Sequence, residues 1–411
     1  MANWQLLLTD ARIATMAADM PGYGEISDAA VAIDDGSIAW LGPQSELPEG
    51  TAESTRSLRG RWLTPALIDC HTHLVFAGDR AAEFEQRLEG SSYEDIAKAG
   101  GGILSTVKAT RAASADELFD AALPRLQSLA AEGVATVEIK SGYGLDVDSE
   151  IKMLEVGRRL GEHSGVTVVT TLLAAHTVPP EYAGSPDGYI DLICDELLPE
   201  VAERGLADIV DAYCESIAFS APQVAKLFRK ASDIGLPLRL HADQLSDSAG
   251  AALAASFNAL SADHLEYTST KGVRSLAEAG SVAVLLPGAF LTLGETQHPP
   301  VASLREHHVP IALASDCNPG TSPICSLRNT MMLGSRLFGL TPLECLAATT
   351  REAARALGLS RDRGTLEVGK RADIAIWDVS HPREVSDWLG TPPLADLLLA
   401  DELRGGHTTR P

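Results

Sequence analysis

The sequence predicts an α/β fold, a (β/α)8 TIM barrel with a small β-sandwich domain built from both chain termini. Three observations carry that prediction. Between residues 63 and 362 the chain repeats an apolar strand, a polar turn and a helical stretch eight times, and eight such units close most simply into a parallel barrel. The segments before and after alternate short apolar runs with turn signals, the pattern of hairpins. Neither terminal segment is long enough to bury its own sheet faces, so 1–62 and 363–411 should pair into one domain beside the barrel. At roughly 150 residues per domain, a chain of 411 residues accommodates both parts.

The elements follow in order. Leu6 to Leu8, Arg12 to Met16, Ala29 to Ile33 and Ile38 to Leu41 are the N-terminal strands, with Asp34-Asp35-Gly36 as a hairpin turn. The eight barrel strands are Leu67 to His71, Ala135 to Lys140, Thr167 to His176, Asp208 to Cys214, Leu238 to His241, Ser261 to Leu265, Val282 to Leu286 and Ile311 to Ser315. The last barrel helix has Thr341 as N-cap, Pro342 at its first position, Glu344 completing a capping box and Gly358 as terminator. A turn at Gly369-Lys370 then leads into a strand ending near Asp378, and all five tryptophans lie outside the barrel strands. Arg404 to Pro411, polar and Gly-rich, reads as a frayed tail.

Composition narrows the function classes. With 45% hydrophobic, 22% charged and 5% aromatic residues the chain is an ordinary globular protein. A net charge of -23 should repel phosphate backbones and anionic lipid, which argues against nucleic-acid and membrane-surface partners. Six scattered cysteines without a C-x-x-C pair suit reduced thiols. The N-terminus lacks a basic n-region and no apolar run reaches the ~18 residues of a membrane span, so a soluble, cytoplasmic protein is expected.

Barrel enzymes place reacting groups where strands end, because the following loops converge over the mouth. Five of the eleven histidines, His71, His73, His176, His241 and His264, sit at or near those ends, and Asp316 closes the last strand. In extended backbone residues i and i+2 face the same way, so His71 and His73 can reach one cation such as zinc or ferrous iron. An isolated H-x-H pair is more often incidental. Here His241 and Asp316, single ligand-type residues ending strands five and eight, join it to make a four-ligand set.

The Pro65-Ala-Leu-Ile-Asp-Cys-His-Thr-His73 motif, the later lone His, Ser315-Asp316, Thr341-Pro-Leu-Glu and Gly369-Lys-Arg-Ala-Asp resemble the amidohydrolase superfamily. Within it, five longer blocks are similar to the family that hydrolyses 4-imidazolone-5-propionate in histidine degradation. These are Asp69 to Arg80, the stretch from Ala99 to Arg111, Glu138 to Gly144, His241 to Ser246 and Asp316 to Ser322. The resemblance covers most of the chain and is weakest in the last thirty residues. It implies that His71, His73, His241 and Asp316 hold one divalent ion, zinc or iron, with a bound water of lowered pKa. It further implies that Asp316 carries the proton from water to the departing ring nitrogen and that His264 stabilises the tetrahedral oxyanion. The product would be N-formimino-L-glutamate. As an isolated residue His264 would read as a buried structural histidine.

Two departures from superfamily habits bear on the chemistry. Many relatives carry a glutamate three residues after the strand-five histidine, where this chain has Gln244, and an amide orients substrate but exchanges no proton. Binuclear relatives use a modified lysine ending strand four, whereas here that strand ends Cys214-Glu215, which points to one metal. Lys140 is a rival ligand, read instead as surface-facing or ion-paired. For substrate, Arg80 offers a planar fork to a carboxylate, and a solvated surface arginine is the plainer reading. Tyr143 and His176 could bind ring and propionate arm on the family match alone. Asn318, Gly320 and Thr321 offer an amide, a close backbone approach and a hydroxyl, unless their turn merely leaves the barrel. The Gly100-Gly101-Gly102 run lacks the Lys-Ser/Thr of a phosphate loop and reads as a flap or helix lead-in.

Three functions remain in contention: cyclic-amide hydrolysis, a metal-dependent deaminase on the same barrel, and a scaffold that lost catalysis. Gln244 and Arg80 count against the second, and the complete ligand set against the third. The expected partner is a small anionic heterocycle, and a homodimer is the default assembly. Because substrate and protein are both negative, salt should screen net repulsion and leave kcat/KM unchanged or higher. Kinetics in a sodium chloride series check this; a steep fall would show that local attraction at the mouth dominates.

Overall fold

In a computed structural model, residues 2–90, 101–390 and 393–405 are described. The terminal strands are β1 (Ala2–Ala14), β2 (Glu25–Asp34), β3 (Ser37–Pro43), β4 (Gly50–Ser57) and β5 (Trp62–Pro65). The barrel strands are β6 (Leu67–Asp69), β7 (Val134–Lys140), β8 (Thr167–Ala175), β9 (Ile209–Cys214), β10 (Arg239–Ala242), β11 (Ser261–His264), β12 (Val282–Leu285) and β13 (Ile311–Leu313). The chain finishes with β14 (Ile374–Trp377) and β15 (Leu394–Leu398).

The first domain is one seven-stranded sheet ordered β15-β14-β5-β1-β2-β3, with β4 also on β1. Leu6 to Leu8 and the run from Arg12, expected to reach Met16, form the single long strand β1, which ends at Ala14 and is interrupted by register shifts between Leu8 and Ile13. Asp10 there has φ 51, a left-handed residue of the kind that lets a strand change course. β1 pairs β4 before that point and β5 after it. The strands on either side of that point share one core containing Leu8, Val31, Ile38, Leu63, Ile374 and Ile376, so where two packed sheets were expected the terminal segments form one sheet that branches along β1. The hairpin turn sits at Asp35 and Gly36, both with positive φ, as a two-residue primed turn demands.

All eight predicted barrel strands are present and pair in parallel from β6 to β13 in chain order. The ring closes just beyond the regular strands. The amide of Asp316 donates to the His71 carbonyl at 2.9 Å, and the amide of His73 to the Cys317 carbonyl at 3.0 Å. Strands one and eight are shorter than predicted because their last residues turn to make these rim bonds.

One helix was expected from Thr341 to Gly358, and two are found, Pro342–Ala348 and Arg351–Ala356. The capping box at Thr341 and Glu344 is present. The break has a local cause: the Thr349 carbonyl accepts from Ile68 of β6 at 2.8 Å, and the Thr350 hydroxyl donates to the Leu346 carbonyl at 2.6 Å. The first bond ties the chain to the barrel floor, and both compete with helix continuation. The predicted tail lies outside the described residues beyond Gly405; Arg404 itself belongs to a helix, Ala400–Gly405, and donates to the Asp35 carbonyl.

Trp377 joins the two parts. Its ring is fully buried, its indole N–H donates to Thr64 at 2.8 Å, and it lies against Gly133 at the start of β7. Trp377→Ala should cost about 3–5 kcal/mol by leaving a cavity and removing the indole hydrogen bond to Thr64. A lowered midpoint in urea unfolding checks this.

Candidate active site

Barrel closure itself assembles the centre. The rim bonds between β6 and β13 set His71, His73 and Asp316 side by side: Asp316 Oδ1 lies 3.5 Å from His71 Nε2 and 3.3 Å from His73 Nε2. Ligand atoms of these three residues all fall within 4.8 Å of one another, and so do those of His71, His241 and His264. His71 belongs to both groups. Its ring centroid is 4.6 Å from that of His241 and 5.4 Å from that of His73. The four predicted ligands and His264 thus occupy one buried cluster at the C-terminal end of the barrel.

The cluster fits a cation. Burial holds His71, His73 and His176 well below the usual histidine range and takes His264 down to about 3, so these imidazoles are neutral with lone pairs to offer. Among the described residues, His71 Nε2, His73 Nδ1, His241 Nε2 and His264 Nδ1 are buried without a hydrogen-bond partner. So many orphaned acceptors in one pocket mark a place where something binds. His264 and Asp316 carry φ of 79 and 51, left-handed backbone that non-glycine residues seldom adopt.

A charged layer lies directly beneath. His71 Nδ1 meets Asp263 at 2.5 Å, and Arg239 holds the same carboxylate oxygen at 2.6 Å. His241 Nδ1 lies 3.1 Å from Asp211, which Lys140 contacts at 2.8 Å. Lys140 also bonds Glu138 at 2.7 Å, and Glu138 is 3.5 Å from Arg239. All five of these side chains are fully buried. Although burial pushes the Asp211 carboxyl up, His241 and Lys140 beside it hold it well below its ordinary value. A carboxylate at Nδ1 fixes the imidazole tautomer and leaves Nε2 for a metal. Lys140 is therefore ion-paired, not surface-facing, and its ammonium is engaged below the histidines.

The proposed substrate groups surround the cluster. His176 stacks on His73 with ring centroids 5.4 Å apart and donates from Nδ1 to the Gly142 carbonyl. Tyr143 packs against both rings. Its turn is built by the buried Glu150 carboxylate, which accepts from the amides of Gly142, Gly144 and Leu145. Gly142 has φ 105, and a Cβ there would come within 2.9 Å of the Leu173 carbonyl. Gln244 accepts from the Tyr213 hydroxyl at 2.9 Å. Glu215 clamps the loop after His241 by accepting from the amide and hydroxyl of Ser246.

The turn after Asp316 is self-contained. The Asn318 amide donates to the Asp316 carbonyl and to Thr321, while its oxygen accepts from the amides of Gly320 and Thr321. Both ends of the Asn318 side chain are thereby engaged in shaping the loop. Gly320 is needed for space: a Cβ would fall 2.1 Å from Arg80 Nη1. Arg80 therefore lies against this turn and is mostly buried, paired with Glu83 at 2.7 Å. It is not the solvated surface arginine of the plainer reading. Of the Gly run, Gly100 lies outside the described residues, and Gly102 leads into the helix Ile103–Ala112 with φ 74.

Sequence reasoning missed the layer beneath. The available signal was charge inside strands otherwise apolar on both faces: Asp211, Arg239 and Asp263 stand in β9, β10 and β11.

Residues 93–389 match the model of an amidohydrolase family. The chain is 58% identical over 396 residues to the imidazolonepropionase of Maricaulis maris, covering 96% of this chain and 98% of that one. It is 56% identical over 398 residues to the imidazolonepropionase of Paracoccus denitrificans, covering 97% and 99%. Among solved structures it is similar to a 5-methylcytosine deaminase from Klebsiella pneumoniae, with TM-score 0.72, 17% identity and 96% of each chain covered. It is also similar to a zinc-bound adenosine deaminase from Xanthomonas campestris, with TM-score 0.66, 18% identity and 97% and 92% covered. At those identities the structural likeness speaks for the fold alone.

Asp263→Asn should weaken divalent-metal binding by about 10–100-fold, since it alters the group that orients His71. Competition of the purified variant with a chromogenic chelator measures it.

Proposed function

The chain belongs to the imidazolonepropionase family of the amidohydrolases, and from that premise we propose how its own residues perform ring opening. The reaction is hydrolysis of the cyclic amide C–N bond of 4-imidazolone-5-propionate to N-formimino-L-glutamate, in histidine degradation. The observation that carries the reading is the buried cluster of imidazole nitrogens without partners beside Asp316.

His71, His73, His241 and Asp316 would hold one divalent ion, zinc or iron. Bound there, such an ion supplies a water of near-neutral pKa and polarises the ring carbonyl. Asp316 accepts the proton of the attacking water and returns it to the ring nitrogen as the C–N bond breaks, so the proton count closes within the site. His264, across the cluster from His73, stabilises charge developing on the carbonyl oxygen. Arg80 receives the propionate carboxylate, Tyr143 and His176 enclose the arm and ring, and Gln244 orients the heterocycle through its amide. Asn318, Gly320 and Thr321 form the turn on which the substrate rests, with Asn318 acting by shaping it. A cytoplasmic homodimer completes the proposal; among the described residues no helix is long and apolar enough to cross a membrane.

Gln244, bonded to Tyr213, offers no exchangeable proton at neutral pH, which disfavours deamination. Metal-loaded protein supplied with 4-imidazolone-5-propionate should consume its ultraviolet absorbance without releasing ammonia. His241→Ala should abolish turnover, and chelation followed by zinc or iron identifies the ion by the activity restored. Unchanged turnover in the His241 variant would remove the metal site from the mechanism.

A further inference from the structure

Arg80 is held from two sides. On one it lies against Gly320, where a Cβ would sit 2.1 Å from Nη1 and 2.7 Å from Cζ. On the other its Nε donates to Glu83 Oε2 at 2.7 Å, one turn along the helix Ala81–Leu88. The second oxygen of Glu83 reaches a different part of the chain. Glu83 Oε1 accepts from the amide of Gly102 at 2.9 Å and from the hydroxyl of Ser105 at 3.1 Å. The carboxylate therefore ties the arginine beside the Asp316 turn to the first turn of the helix Ile103–Ala112. Both side chains of the pair are mostly buried, at 10% and 13% exposure, so the link is shielded from the screening that makes surface pairs weak.

We propose that Glu83 is a positioning residue that sets selectivity for an anionic arm on the substrate. It acts through Arg80, and the proposal rests on reading Arg80 as the receiver of the propionate carboxylate. A guanidinium recognises a carboxylate by its plane as well as its charge. Glu83 at Nε and Gly320 against Nη1 together fix that plane. Through Gly102 and Ser105, the same carboxylate sets where the first turn of the helix Ile103–Ala112 stands relative to the arginine. The two demands need two acceptor oxygens. In Glu83→Gln one oxygen becomes an NH2 group, which faces either the Arg80 Nε–H or the Gly102 N–H, donor against donor. Either orientation loses one arm of the clamp, with little change in volume.

The test compares 4-imidazolone-5-propionate with its propionamide analogue, whose arm is neutral, on the metal-loaded full-length protein. Glu83→Gln and Glu83→Ala should each raise KM for the acid by about tenfold, the worth of one charge-assisted hydrogen bond. They should leave kcat for the acid and both constants for the amide within about twofold, as loss of uniform binding to one substrate arm requires. Arg80→Met should erase the preference for acid over amide. Equal losses on both substrates, or a KM for the acid that falls because the offsetting charge is gone, would overturn the proposal. If Arg80→Met erases the preference while the Glu83 variants keep it, Glu83 alone is excluded. If Arg80→Met keeps it, the reading of Arg80 fails first. Thermal melting of each variant separates a folding defect from the kinetic effect.

Discussion

The structure depends on a buried layer of charge under the histidines. Glu138, Lys140, Asp211, Arg239 and Asp263 are all removed from water in the barrel interior, and an ion so placed costs several kcal/mol unless its partners are well aligned. Each of these has such partners: Lys140 bridges Glu138 and Asp211, and Arg239 bridges Glu138 and Asp263. Three carboxylates against two cations leave the layer one negative charge in excess. That excess is directed upward, through Asp263 to His71 and Asp211 to His241. The layer therefore does more than fill the barrel: it sets tautomers and favours positive charge above it. Removing one member would leave the others as uncompensated buried charge, so the arrangement is all or none.

Closure of the ring and assembly of the site are one event. The bonds between Asp316 and His71 and between His73 and Cys317 are both the seam of the barrel and the scaffold of the proposed metal ligands. Asp69 adds a third stitch, accepting from the amide of Ser315 at 3.0 Å. Ligands from the first and last strands cannot meet unless the intervening six have stacked in register. His71 and Asp316, 245 positions apart in sequence, thus share a centre because the topology forces it, without any local signal between them.

This explains what the sequence disclosed. Strand-and-helix alternation showed all eight barrel strands, since strands buried on both faces must be short apolar runs. Ligand-type residues at their ends followed from the architecture. The missed features are those set by packing partners. The break at Thr349 comes from Ile68 claiming its carbonyl, and the fusion of two N-terminal runs into β1 comes from strands pairing across it. Asp211 and Asp263 were legible in principle as charges within apolar strands, whereas the engagement of Asn318 inside its own turn required coordinates.

The mouth is built unevenly, and the unevenness divides labour. Its floor is the charged layer and the rim bonds, cross-linked from every strand that carries a ligand. The wall at Arg80 hangs on fewer attachments: Gly320, and a single carboxylate that reaches the loop at Gly102. A floor of that kind keeps the geometry for breaking a C–N bond whatever the substrate, which needs placement within fractions of an ångström. A wall carried on loops can change its charge and shape without disturbing the floor. The same barrel underlies deaminases of quite different heterocycles at 17–18% identity. In the proposed reading, selectivity belongs to the wall at Arg80, and the reacting groups belong to the strand ends and the rim bonds just beyond them.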